Sequence, residues 1–416
     1  MPDSSQKLSR RAARQRRNAV CVEVVLHIAI DAHSVGTQLA GNESYITHLI
    51  ESLAETDTVN RYTLYVTKQI AVERFQNRWP HVGVRLTWPH TPLVRIPLTL
   101  TRELRRRPVD LLHVQYTAPL WTPCPVVATI HDLSFEHLPQ TFTRRSRTQL
   151  RLTVRKTAHA AAHIIAPSEY SHRDIIETYQ IDPARVSVTP LAAANYFAPV
   201  TDEKELRRVR AAYGIEGDYI LAVGSVQPRK NLPRLIAAYA DLRRTRPHAK
   251  LPRLILVGKR GWLYKETFRA IEESGLSSEE VLWTGYVPET DLPALYTGAL
   301  CFVYPSYFEG FGLPALEAMQ CGAPVIAGNR TSLPEVIGDA GLLVDPLSRQ
   351  EIANALARLI DDRELREKLR RRGLERAKIF NWRETARLTL KAYELAVSNA
   401  KSPSMLSGLL NRKPRG

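Results

Sequence analysis

Short apolar runs alternate with longer amphipathic ones along almost the whole of this 416-residue chain, in two series parted by one polar, acidic stretch from Pro199 to Glu205. The first series reads VEVVLHIAI (22–30), YTLYVT, GVRLTW, DLLHVQ (110–115), PVVATI (125–130), HIIAPS and VSVTPL (186–191). The second reads YILAVGS (219–225), RLILVG (253–258), VLWTGY (281–286), ALCFVYPS, PVIAGN (324–329) and GLLVDP (341–346). Apolar runs this short are strands buried on both faces of a parallel sheet, and the amphipathic segments between them are its crossover helices. The expected fold class is α/β: two doubly wound Rossmann-like domains joined near residue 198, with their strand ends facing a central cleft. The expected boundaries are a basic disordered tail over 1–20, an N-terminal domain over 21–197 and a C-terminal domain over 198–381. A helix over 382–400 then crosses back to the N-terminal domain, and a second basic tail occupies 401–416.

Charge narrows the choice of partners. Lys and Arg total 58 against 42 Asp and Glu, a formal +16, but the first 20 residues hold net +5 and the tail from Lys401 four more cations, leaving +7 on the body. That distribution gives no reason to expect a nucleic-acid partner. Within the body, FTRRSRTQLRLTVRKTA sets Arg144, Arg145, Arg147, Arg151, Arg155 and Lys156 on one predicted helix, with Leu150, Leu152 and Val154 among them. Such a helix is a solvated face, a contact for an anionic membrane surface or a contact for nucleic acid. Cys21, Cys124, Cys301 and Cys321 lie far apart, which fits buried thiols in a reducing compartment and neither a disulfide frame nor a zinc site. The basic start has no apolar core of a secretory signal, and no apolar run approaches the ~18 residues of a membrane span, so a cytoplasmic location is expected.

The densest chemistry lies in YPSYFEGFGLPALEAM, from Tyr304 to Met319. A buried strand ends there in a loop, and Pro314 suits the first turn of the helix that follows because its missing N–H would be unpaired there anyway. The N–H groups of Phe311, Gly312 and Leu313 then point out of a helix N-terminus, an anion site, and Gly310 and Gly312 let a ligand approach the backbone. Glu309 precedes the turn and Glu317 lies one helical turn beyond it, so both carboxylates can face one cavity and accept pairs of hydroxyls. In GSVQPRKN, Arg229 and Lys230 follow a strand at a helix start, where two cations and backbone dipoles would hold a diphosphate.

These segments resemble the large family of retaining glycosyltransferases called glycosyl transferases group 1, or family four, which has the GT-B fold. Glu309, seven residues and Glu317 form its signature, and AIDAHSVGTQLAGNESYITHLIESL (29–53), TIHDLSFEHLP (129–139), GSVQPRKNLPRLIAAY (224–239) and SLPEVIGDAGLLVDP (332–346) extend the likeness over roughly 24–397. The resemblance implies an N-terminal acceptor domain and a C-terminal nucleotide-sugar donor domain. It implies that Arg229 and Lys230 hold the donor pyrophosphate, and that Gly285, Tyr286 and Val287 hold the base. Glu317 would take the ribose hydroxyls, and Glu309 with the amides of 311–313 the donor sugar. Gly41 would let the backbone near the donor phosphate or the acceptor with Tyr45 behind it, His131 would approach the transferred sugar and its acceptor, and Asp132 would orient its loop. Many relatives carry an arginine where this chain has Ser225, which leaves the phosphate to Arg229 and Lys230. Glu335 is a weaker candidate.

The implied reaction moves a hexose to a hydroxyl of a glycan or lipid-linked oligosaccharide with retention at the anomeric carbon. No cofactor is expected, and with no Asp-x-Asp anywhere in the chain no metal is either. IHDLSFEHLP with QPRKNL looks most like bacterial mannosyltransferases of surface polysaccharide assembly, which favours GDP-mannose over the alternative, UDP-glucose. A sugar-nucleotide-binding protein without activity is the other class, against which the full set His131, Arg229, Lys230, Glu309 and Glu317 argues.

Overall fold

The computed structural model describes residues 25–37 and 40–401. The tail expected over 1–20, Cys21 and all but the first residue of the tail expected over 401–416 lie outside the described residues. Every apolar run above contains a strand. The first series supplies β1 (His27–Asp31), β2 (Arg61–Val66), β3 (Val82–Leu86), β4 (Leu111–Gln115), β5 (Val126–Thr129), β6 (His163–Ala166) and β7 (Val186–Val188). The second supplies β8 (Tyr219–Val223), β9 (Arg253–Val257), β10 (Val281–Gly285), β11 (Cys301–Tyr304), β12 (Val325–Gly328) and β13 (Gly341–Val344). In the described part of the run expected over 22–30, the strand starts at His27, where its pairing with Arg61 begins.

Two parallel sheets result, ordered β3-β2-β1-β4-β5-β6-β7 and β10-β9-β8-β11-β12-β13. The order reverses between β1 and β4 in the first sheet and between β8 and β11 in the second. Crossovers leave on opposite faces at such a point, so a crevice opens at the carboxyl ends of the two strands. Both crevices open toward the same interdomain space, because residues following β4, β5, β8 and β11 line one cavity.

The helices that matter to this space are α1 (Ala40–Thr56), α2 (Arg144–Ala160), α3 (Glu169–Tyr179), α4 (Leu232–Thr245) and α5 (Leu313–Gln320). Two start where the sequence supplies a hydroxyl cap: Thr143 accepts the Ser146 N–H at 3.3 Å before α2, and Ser168 accepts the Ser171 N–H at 3.0 Å before α3. α5 has no side-chain cap; Gly312 stands there with φ +107°, and Pro314 lies in the first turn. The chain closes with α6 (Arg349–Asp361), α7 (Arg363–Ala377) and α8 (Trp382–Lys401). α8 packs on α1 and β6, so the last helix lies against the first domain. A buried hydrogen-bonded chain fastens it: the Tyr393 hydroxyl to His113 Nδ1 at 2.7 Å, His113 Nε2 to the Thr129 hydroxyl at 2.8 Å, and Tyr45 to the same hydroxyl at 2.9 Å. Burial pushes the His113 pKa down to about 3, so this link is neutral at ordinary pH.

Candidate active site

β11 delivers the loop that carries the chemistry. Tyr304 closes the strand, Ser306 follows two residues on, and Glu309, a residue only 5% exposed, three further. The turn after β8 (228–230) is laced to this loop: the Tyr307 N–H donates to the Arg229 carbonyl at 2.9 Å, and Arg229 Nη1 donates to the Phe308 carbonyl at 2.9 Å. That lacing brings two cations onto one carboxylate. Arg229 Nη1 lies 2.7 Å from Glu309 Oε2, Lys230 Nζ 2.7 Å from Oε1, and the Ser306 hydroxyl donates to Oε1 at 2.5 Å. Lys230 also donates to the Tyr304 hydroxyl and sits 4.6 Å above that ring.

Burial alone would raise the Glu309 pKa, but Arg229 and Lys230 hold it at about 2. Burial and the neighbouring guanidinium bring Lys230 down to about 8, while Glu309 and Asp132 outweigh burial and raise Arg229. Two cations bonded to a single carboxylate leave one positive charge without a bonded counter-anion. Buried charge of that kind is costly unless an anionic ligand completes it.

Both domains line the surrounding cavity of about 260 Å³: Gly41, Tyr116, His131 and Asp132 on one side, Ser225, Arg229, Lys230, Glu309 and Glu317 on the other. Glu317 Oε2 accepts from the Tyr296 hydroxyl at 3.0 Å. Burial raises its pKa to about 7, with Tyr296 opposing and Glu289 adding to the rise. His131 lies two residues beyond the end of β5 rather than on it, because the ladder ends at Thr129. Its Nε2 bonds Gln115 Oε1 at 2.9 Å, and the Tyr45 ring stands edge-on at 4.6 Å behind it. Burial lowers its pKa to about 4, so the ring is neutral near pH 7.

The family model described as Glycosyltransferase Family 4 matches residues 40–192, and that described as Glycosyl transferases group 1 matches 205–376. The O-antigen chain mannosyltransferase B of Escherichia coli is 36% identical over 65% of this chain and 70% of its own length. The chain belongs to the group 1 glycosyl transferases. A D-inositol 3-phosphate glycosyltransferase of Corynebacterium glutamicum is 30% identical over 70% of this chain and 73% of its own. The fold is GT-B: the Anabaena HepE protein, solved in complex with UDP-glucose, superposes with a TM-score of 0.69 over 89% of this chain and 99% of its own at 20% identity.

In this glycosyltransferase the remaining expected residues fall in different places. Gly310 lines the cavity, and a second constraint acts on it as well. A Cβ there would lie 1.8 Å from the His131 carbonyl oxygen, so it is the other domain's backbone that requires glycine. Ser168 and Ser171 donate to the Gly310 carbonyl at 2.6 and 3.1 Å, and Ser171 also donates to the His131 carbonyl at 3.1 Å. At Gly312 a Cβ would meet Leu333 at 2.6 Å, and the positive φ excludes other residues as well. Phe311 and Leu313 line the cavity and are buried.

Gly285, Tyr286 and Val287 do not line the cavity; Glu289 and Leu292, from the same stretch, do. Tyr286 is half exposed beneath Lys259, Val287 is buried, and space lies open at Gly285. Glu335 reaches across the domains: its carboxylate accepts the N–H groups of Glu169 and Tyr170 at 3.1 and 3.3 Å, capping α3 from the opposite side. On α2, Arg144, Arg145, Arg155 and Lys156 are exposed and Arg147 is half-buried, whereas Arg151 pairs with Glu136 at 2.6 Å. Cys124, Cys301 and Cys321 are buried free thiols. Among the described residues no helix is long and apolar enough to cross a membrane.

Tyr304, Ser306, Tyr296 and Tyr116 are the functional neighbours that sequence reasoning missed. Tyr304 and Ser306 lie five and three residues before Glu309 at the strand end, a spacing that already pointed to one loop. Nothing local marks Tyr296, which reaches Glu317 from a helix 21 positions earlier.

Proposed function

We propose that the cleft transfers a hexose, mannose from GDP-mannose, to a hydroxyl of a glycan or lipid-linked oligosaccharide, with retention and without a metal. The observation that carries this reading is the buried cluster of Arg229 and Lys230 on Glu309. In transfer, the bond from the anomeric carbon to the diphosphate breaks and negative charge grows on the departing oxygen. Arg229, Lys230 and the uncapped start of α5 are donors already fixed in a water-poor site, where they stabilise that charge without reorganising. The departing oxygen takes the acceptor's proton on the face it leaves, and the acceptor oxygen bonds from that same face, which retains the configuration. Glu309 orients the two cations and receives donor hydroxyls, Glu317 receives those of the ribose, and neutral His131 faces the sugar as a hydrogen-bonding group rather than as an acid.

The mannose assignment is supported by the named activity of the Escherichia coli relative. Metal independence is supported by the paired cations, which supply the charge a divalent ion would. We further propose that Arg144, Arg145 and Arg155 hold the enzyme at the cytoplasmic face of an anionic membrane, where a lipid-linked acceptor would be found. The test is incubation with GDP-mannose, UDP-glucose and related donors, with lipid-linked acceptor and EDTA present, followed by NMR of the product's anomeric proton. The reading requires that GDP-mannose be consumed in an acceptor-dependent way to give a product of unchanged configuration. Inversion, exclusive use of UDP-glucose, or loss of activity in EDTA would each contradict the corresponding part.

A further inference from the structure

A second cavity, of about 500 Å³, opens in the N-terminal domain beside the cleft and shares Asn42 and Tyr116 with it. Its volume is that of a site for a drug-sized ligand. One wall is the Leu150 and Leu152 side of α2, and the facing wall is Leu93, Ile96 and Pro97. Leu120 forms part of the rim. Leu93, Leu120 and Leu152 are each at least 60% exposed, and Trp121, next to Leu120 in sequence, is exposed too. A water-exposed apolar patch of this kind marks a binding surface more often than chance.

The lining is graded. Away from the apolar walls it carries Ser34, Gln115 and Arg95, and these lie at the carboxyl ends of β1 and β4 or packed against them. Arg95 is 1% exposed, and its Nη1 clamps both oxygens of Asp31 at 2.7 and 2.8 Å. Its Nε and Nη2 have no hydrogen-bond partner among the described residues. Unpaired guanidinium N–H groups in a buried wall are satisfied by an anionic oxygen ligand. Lys156 lines the same cavity from α2, next to exposed Arg155, and adds positive charge.

We propose that this groove binds the anchor of the acceptor: a hydrocarbon chain joined through phosphate to the sugar being extended. The assignment rests on the transferase reading above and adds the place where the acceptor's anchor is held. A sugar in the cleft, a phosphate at the Arg95 and Lys156 region and a chain running out between Leu93, Leu120 and Leu152 match the order of polarity along the lining. A membrane phospholipid has no part that needs the passage into the cleft, so the acceptor is the occupant.

The probe is dodecyl phosphate, titrated calorimetrically below its micelle-forming concentration, with butyl phosphate as the short-chain control. Each buried methylene gives about a fourfold gain in affinity, so burial of only half the extra chain makes dodecyl phosphate at least about a hundredfold the tighter ligand. Leu120→Asp with Leu152→Asp, both exposed and so compatible with folding, should weaken dodecyl phosphate tenfold or more and leave butyl phosphate and nucleotide-sugar binding as in the wild type. Equal affinity for the two phosphates, or a double variant that binds dodecyl phosphate normally, overturns the proposal. So does a double variant that loses only its sedimentation with phosphatidylglycerol vesicles, which would make the rim a membrane contact. Groove binding that the double variant abolishes, in a protein that transfers no sugar, upholds the groove and refutes the transferase reading instead.

Discussion

Gly310→Ala perturbs the contact between the domains and little else. Its φ is not in the left-handed range, so alanine fits the backbone; only space is lacking. The new Cβ would stand 1.8 Å from the His131 carbonyl oxygen and 2.7 Å from its carbon, against an ordinary contact of 3.4 Å. Both listeners are backbone, with no rotamer to swing away, so the domains must part by about 1.6 Å, the difference between those two oxygen distances. The Ser168 and Ser171 hydroxyls then lose the Gly310 carbonyl. Two such hydrogen bonds contribute about 1 to 3 kcal/mol, and a shift of that size in closure lowers turnover about 5- to 150-fold. Closure excludes water and completes the site, so kcat should fall while donor affinity, assigned in the proposal to Arg229, Lys230 and Glu317, changes only a few-fold. Steady-state kinetics, donor titration and thermal melting on the same preparation separate these effects. Wild-type kcat in a folded variant would refute the role assigned to this contact.

Glu317→Gln tests the buried carboxyl. With a folded pKa of about 7 against an ordinary 4.5, the native state holds a proton that the unfolded chain releases between those values, so wild-type stability falls as pH rises through that window. The glutamine variant lacks this term, and the stability difference in urea unfolding should move by about 3 kcal/mol in its favour between pH 4.5 and 8; parallel curves would contradict a raised pKa. Reversal of Arg144, Arg145 and Arg155 to glutamate should abolish sedimentation with phosphatidylglycerol vesicles at low salt and leave transfer to a water-soluble acceptor unchanged. Unaltered sedimentation would remove α2 as the membrane contact.

How far the sequence reached depended on how local each cause is. Strands of a parallel sheet are buried on both faces, so β1 to β13 stood out as apolar runs, and the polar stretch at Pro199 parted the domains in the sequence before the sheets did in space. Arg229, Lys230, Glu309 and Glu317 were legible because each lies at a strand end or helix start, where backbone geometry aims a side chain into the crevice. What could not be read was contact across the chain. Glu309 looked like a group facing sugar hydroxyls alone, yet it also binds two cations 79 and 80 residues away. That Gly310 also makes room for the His131 carbonyl could not be read, because nothing near it in sequence announces His131. The groove beside α2 was invisible for the same reason: Leu93, Leu120 and Leu152 belong to three separate segments, and each alone is an ordinary surface leucine.

The most direct test of the central claim, that the cation pair on Glu309 holds a donor diphosphate, is calorimetric titration of GDP-mannose and UDP-glucose into the wild type and Lys230→Ala. One donor should bind the wild type selectively, and the variant, deprived of a charge-assisted hydrogen bond in a buried site, should lose about 2 kcal/mol or more, roughly thirtyfold in affinity. Binding of neither donor by the folded wild type, or equal affinity in the variant, would contradict it.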